Sequence, residues 1–170
     1  MIAPLAAVAL VCLACAPIVS ADESDAARAD GQAISTLDGV FTAAQAQRGE
    51  LAYTGPCSRC HGYRLDGAPD DPDMLPAPPV AGAKFLRKWR CRSLAVLLEY
   101  TRATMPENNP GYLSDQEYAD VVAYMLAASD LPVGRTELRA DGPMLARTLI
   151  VAATSSAPQR GCGLTDAEEP

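Results

Sequence analysis

Cys57-Ser58-Arg59-Cys60-His61 sets the frame for the whole chain. Two thiols stand with two residues between them, and the single histidine of the protein follows the second directly. This is the C-x-x-C-H pattern of covalent haem attachment. The spacing lets both sulfurs reach one porphyrin edge as thioethers, while the adjacent imidazole is held beneath the ring, where it binds iron. Rival uses of the same residues fit less well. A zinc site needs further Cys or His ligands at short spacing, and no second histidine exists. A thioredoxin-like pair would follow a strand in a βαβ pattern, which this stretch lacks. A catalytic Cys-His pair would be apart in sequence and close in the fold.

Upstream, Thr42-Ala43-Ala44-Gln45 has the form of a capping box and predicts a helix from about Ala43 to Tyr53, stopped by Gly55-Pro56. Downstream, Asp66 to Gly82 holds Pro69, Pro72, Pro76, Pro78 and Pro79, which excludes helix and central strand. It reads either as a long loop packed against a bulky prosthetic group or as a disordered insertion. Phe85, Leu86 and Trp89 then recur at helical spacing. Ser93 caps a helix from Leu94 to about Arg102, with Leu94, Leu97, Leu98 and Thr101 on one face, ending before Met105-Pro106. Ser114-Asp115-Gln116-Glu117 is a second capping box, and the helix behind it runs to about Ser129 with Tyr118, Val121, Val122, Met125 and Leu126 as its buried stripe. Pro132 and Gly134 end it. No hairpin or internal repeat is visible. The chain is therefore expected to be mostly α, three to five helices with long loops wrapped around one covalently bound haem.

Residues 1–21 carry no charged side chain, and Leu5 to Val19 is an apolar run followed by the small residues Ser20 and Ala21. This reads as a signal peptide, too short for a confident membrane span. Cys12 and Cys15 lie inside it, so lipidation or retention as an anchor is the alternative to cleavage. Asp22 to Val40 reads as a flexible lead-in (22–40), residues 41–134 as the domain, and 135–170 as an extension. Leu138, Leu145, Leu149, Ile150 and Val151 make its first part apolar enough to be expected to pack, and its end reads as mobile. The formal charge of −7 argues against nucleic acid and allows steering toward a basic face on another protein. Export predicts a periplasmic protein, membrane-anchored only if the leader is retained or lipidated, with no span in the mature form.

Iron bound by His61 needs a second ligand or an open site. The candidates are Met74, Met105, Met125 and Met144, besides Lys or solvent. Met105 is preferred because a Thr-Met-Pro turn between two helices can project its thioether. Met125 reads as core packing, Met74 as part of the proline loop and Met144 as part of the tail.

With these features in place, the chain resembles class I (monohaem) cytochromes c over about Thr42 to Gly134. The likeness lies in the helix with Gly49 and Tyr53, the C-x-x-C-H box, the Met105-Pro106 loop, and Val121 with Tyr124 on the last helix. It implies that Gly49 and Tyr53 cross the last helix near Val121 and Tyr124, and that the carbonyl of Pro78 accepts the His61 ring N–H. Phe85, Trp89, Met105-Pro106, Leu113-Ser114, Tyr124 and Thr136-Glu137-Leu138 are also similar to exported cytochromes that accompany quinoprotein alcohol dehydrogenases. Arg90-Cys91-Arg92 departs from the small residues common after the tryptophan in that group.

Cys91 and Cys162 either pair across the tail or remain separate thiols. Lys84, Arg87, Lys88, Arg90 and Arg92 read as a solvated basic face, as partners of haem propionates, or as a contact for an acidic protein. Trp89 reads as a propionate donor or an apolar anchor. The expected function is a one-electron carrier, not an enzyme, holding one haem c through Cys57 and Cys60 with His61 and Met105 on the iron. Its partners would be a quinoprotein dehydrogenase and a terminal oxidase or another cytochrome. A fixed haem subunit of a larger oxidoreductase, or a haem enzyme or gas sensor with an open iron site, is the alternative.

Overall fold

The computed structural model describes residues 34–68, 76–151 and 162. The leader, Cys12, Cys15, Met74, most of the acidic tail end and the first part of the lead-in lie outside them. The order is β1 (Ile34–Ser35), a 3-10 turn (Thr36–Asp38), α1 (Ala43–Tyr53), α2 (Ser58–His61), α3 (Gly82–Trp89), α4 (Leu94–Thr104), α5 (Asp115–Ala127), α6 (Met144–Arg147) and β2 (Thr148–Leu149). The architecture is mostly helical, as the patterning predicts. Four of the helices have eight residues or more, and α2 and α6 are single turns.

Caps and periodicity explain the helices. Ser114 and Glu117 form the full reciprocal box at the head of α5. Ser93 accepts from the Val96 N–H and starts α4. α4 runs two residues past the predicted Arg102, to Thr104. α5 stops at Ala127, and Ser129, predicted to end it, instead turns back to donate to the Met125 carbonyl and accept from the Gly82 N–H. At α1 the prediction is half right. Thr42 accepts from the Gln45 N–H at 3.1 Å, but the Gln45 side chain does not close the box. It is fully buried and bonds elsewhere.

The central contact is α1 against α5. A Cβ on Gly49 would lie 1.8 Å from the Asp120 carbonyl oxygen and 2.9 Å from Tyr124 Cβ, so only glycine lets these backbones meet. Tyr53, one turn on, packs edge-on against Tyr124 with ring centroids 5.5 Å apart. The α5 stripe is buried as predicted: Tyr118, Val121, Val122, Met125 and Leu126 all lie in the core.

A polar network joins the extension to this crossing. Gln45 Nε2 donates to Asp120 Oδ1 at 2.9 Å and to the Leu138 carbonyl at 2.7 Å, and its Oε1 accepts from the Leu138 N–H. Gln116 Nε2 repeats the first two contacts from α5. Arg48 Nε donates to Asp120 Oδ2 and its Nη2 to Glu137, each at 2.9 Å. Burial pushes the Asp120 carboxyl up, but hydrogen bonds from Arg48, Gln45 and Gln116 outweigh that and hold it below the ordinary carboxylate range.

One feature corrects the sequence reading and a second resolves a choice it left open. The lead-in expected to be flexible over 22–40 is packed from Ile34 onward: β1 pairs in parallel with β2, Ile34 to Thr148 and Ser35 to Leu149. Thr36, Val40 and Phe41 are buried. Such a two-residue pairing has too little sequence pattern to be foreseen. The second concerns Cys91 and Cys162, left open above. They are joined, with Cα atoms 5.1 Å apart. Beside this bridge the Cys91 N–H donates to the Ile150 carbonyl, and the Ile150 N–H to Arg92. Leu138, Leu145 and Ile150 are buried, which ties the start of the extension to the domain.

Gly49→Val in the haem-loaded protein should lose about 2–3 kcal/mol or more of unfolding free energy, read from urea denaturation, because the helix backbones must separate. The depressed Asp120 pKa gives a second expectation. Its stabilisation is present above the unfolded Asp value of about 3.9 and is lost as pH falls through the lower folded value. Thermal unfolding against pH should therefore steepen in wild type as pH falls below about 4, and Asp120→Asn should flatten that slope while being less stable at neutral pH.

Candidate haem site

The site is built on a tight turn. α1 ends before Gly55-Pro56, and the Cys57 N–H donates back to the Tyr53 carbonyl at 3.1 Å. The Cys60 and His61 N–H groups both donate to the Cys57 carbonyl, at 3.2 and 3.0 Å. Cys57, Cys60 and His61 thus occupy positions i, i+3 and i+4 of one helical turn, the spacing that gathers side chains on a single face. Ser58, fully inside, accepts from the Gly55 N–H at 3.1 Å and pins the entry to the turn. Tyr53 donates its hydroxyl to the Gly62 carbonyl at 2.8 Å and pins the exit.

The proline-rich segment then returns beside the turn. The Gly67 N–H donates to the His61 carbonyl, the Ala77 N–H to Gly67, and the Val80 N–H to Leu65, at 2.9 to 3.0 Å. Gly67 has φ +80°, and a Cβ there would lie 2.0 Å from the Ala77 carbonyl oxygen, so this loop closes only around glycine. Over its described parts the stretch is therefore an ordered loop rather than a disordered insertion, while residues 69–75 lie outside the description.

Loop closure brings the Pro78 carbonyl oxygen to 2.8 Å from His61 Nδ1. A carbonyl only accepts, so Nδ1 carries the proton and the Nε2 lone pair is left for a metal. His61 is 9 % exposed. The pairing expected from the family likeness is thus present in the fold. Cys57 and Cys60 are not bonded to each other. Burial pushes the Cys57 thiol up to about 11, and the neighbouring Cys60 adds to the shift, so Cys57 is a neutral thiol near pH 7. Two thiols and an imidazole on one face, with the imidazole already oriented from behind, fit haem c.

Met105 comes from another part of the fold, the C-terminal cap of α4. Its backbone is held from two sides. Its N–H donates to the Thr101 carbonyl at 2.9 Å, and its carbonyl accepts from the buried Tyr118 hydroxyl at 2.5 Å. Met125 is 4 % exposed within the α5 core, and Met144 is 43 % exposed at the first position of α6. The sequence reading assigned Tyr53 and Tyr118 to packing and missed their hydroxyl contacts. The available signal was the choice of Tyr over Phe in an apolar stripe, because a buried hydroxyl needs a partner.

Residues 44–125 match the family model described as cytochrome C oxidase, cbb3-type, subunit III. The matched span starts in α1, holds the 57–61 turn, the Pro78 loop and Met105, and ends in α5. No curated protein and no solved structure matches the chain. Residues 44–125 are thus similar to a cytochrome c domain, a likeness with which the mostly helical fold and the thiol–thiol–imidazole turn agree.

Proposed function

We propose that the chain is an exported, periplasmic monohaem cytochrome that carries one electron at a time. Cys57 and Cys60 would tether a single haem c by thioethers, with His61 and Met105 as the iron's axial ligands. The observation that carries this reading is the Pro78 carbonyl on His61 Nδ1. Such a bond fixes the tautomer, orients the ring and strengthens donation from Nε2. Met105 is supported as the sulfur ligand by its clamped place between α4 and α5, whereas Met125 is committed to the core.

When bound, haem supplies a metal centre that gains or loses one charge with little movement. The chain's own residues do the rest. His61 and Met105 would fill both axial positions and leave none for substrate. Thioether sulfur favours ferrous iron and raises the reduction potential relative to two imidazoles. No residue is asked to act as acid, base or nucleophile. The electron donor would be a dehydrogenase of the quinoprotein type and the acceptor a terminal oxidase or another cytochrome. No helix among the described residues is long and apolar enough to cross a membrane.

A second reading has one specific support. The matching family model is described as a subunit of a cytochrome oxidase, which favours a fixed haem subunit over a free shuttle. Size exclusion of native extracts separates the two, since a fixed subunit elutes with a larger assembly.

Expression with export should give a coloured protein whose intact mass exceeds the processed chain by one haem, and Cys57→Ala/Cys60→Ala should give a chain without covalent haem. A colourless product of bare-chain mass would sink the proposal. Met105→Ala should abolish the long-wavelength ferric band of sulfur-ligated haem and lower the midpoint potential by roughly 0.1–0.3 V, part of the roughly 0.8 V range that axial ligands command. An unchanged spectrum and potential would remove Met105 from the iron.

A further inference from the structure

The five basic residues singled out in the sequence, Lys84, Arg87, Lys88, Arg90 and Arg92, are all exposed on α3 and the turn after it. They belong to a chain of formal charge −7, yet no Asp or Glu stands between Asp73 and Glu99. Elsewhere Arg48, Arg64, Arg102 and Arg139 each pair with a carboxylate. Among the described residues Lys84, Arg87, Lys88 and Arg92 make no ion pair. What two of them have instead is an aromatic floor. Lys88 Nζ lies 5.9 Å from the ring centroids of both Trp89 and Tyr100, and the Arg92 guanidinium lies 5.8 Å from that of Trp89. The two rings meet edge-on at 5.3 Å. Such contacts hold the cations in place without cancelling their charge.

Beside them Val96 and Tyr100 are 47 % and 44 % exposed. Arginine, tyrosine and an exposed aliphatic around a fixed aromatic base is the composition of a protein contact, with apolar area inside a charged rim. A lipid surface fits less well, because Trp89 is 7 % exposed and cannot insert between headgroups. α3 also continues directly from the loop whose Pro78 braces His61, so the patch sits on the element leaving the haem site.

We propose that this basic, aromatic-backed face of α3 and the start of α4 docks an acidic surface on a redox partner protein. This rests on the electron-carrier reading and adds to it the partner's charge and the place of contact. The uneven charge makes a testable distinction. Two proteins of net negative charge repel at long range, whereas a local basic patch gives association that weakens as salt rises.

The probe is an acidic blue-copper protein mixed with the haem-loaded full chain, with association followed by amide chemical shifts at rising ionic strength. Binding at low salt is expected, with perturbed resonances on α3 and around Val96 and Tyr100. Lys84→Glu/Arg87→Glu, which leaves both cation–aromatic contacts intact, should weaken it at least about tenfold, and Arg135→Glu should leave it unchanged. Association that is absent, rises with salt or ignores the α3 charges overturns the proposal. So does preferential binding to phosphatidylglycerol vesicles, which would make the face a lipid contact. A shifted midpoint potential in the double variant with association intact would assign these charges to haem propionates instead. Reduction by ascorbate, run in parallel, tests the carrier reading alone: a chain that takes an electron but ignores the copper protein fails only on docking.

Discussion

The contact of two bare backbones at Gly49 is the constraint on which the remainder rests. With no Cβ between them, α1 and α5 meet at the Asp120 carbonyl, and Tyr53 is brought onto Tyr124 one turn further along. That places the end of α1 and the 57–61 turn that grows from it. The same crossing collects Gln45, Arg48 and Asp120 into one network, which then captures Leu138 and Glu137 from the extension. A buried carboxylate is tolerated there because its oxygens are shared among three donor side chains.

From that anchor the site is assembled by hydrogen bonds between segments that share little sequence pattern. Tyr53 holds the exit of the haem turn and Gly67 closes the loop, and together they set the Pro78 carbonyl against the histidine. Elsewhere in the fold α4 and α5 clamp the backbone of Met105. The proposed ligands are thus supported by the elements that carry the core, which is how a redox centre keeps its surroundings fixed while its charge changes. The charge distribution follows a separate logic. Carboxylates neutralise Arg48, Arg102 and Arg139 across the body of the domain, whereas Lys88 on α3 and Arg92 just after it lie against aromatic rings and keep their charge.

Much of this was legible from residue types. The caps at Thr42, Ser93 and Ser114 locate three helix starts because each supplies a side-chain oxygen to a free N–H of the first turn. The apolar stripe of α5 is a local periodicity and needs no tertiary information. The partner of His61 was expected from family likeness, at Pro78, and the fold has that contact. The Gln45 side chain was misread, since a local box and a distant buried carboxylate compete for the same amide, and the distant partners won. The pairing of Ile34–Ser35 with Thr148–Leu149 joins segments more than a hundred residues apart and leaves no periodic trace in two residues.

What the sequence by itself determined is the chemistry: two thiols and an imidazole at a spacing that one helical turn puts on one face, helices bounded by caps and glycine–proline stops, and a basic segment in an acidic chain. These are local properties, carried by residue identity and separation. Only the tertiary structure decided which hydroxyl holds Met105, that Cys91 meets Cys162, and that Lys84, Arg87, Lys88 and Arg92 make no ion pair among the described residues. Each of those depends on where distant backbone is delivered, and delivery follows from the packing of the whole core rather than from any one stretch of chain.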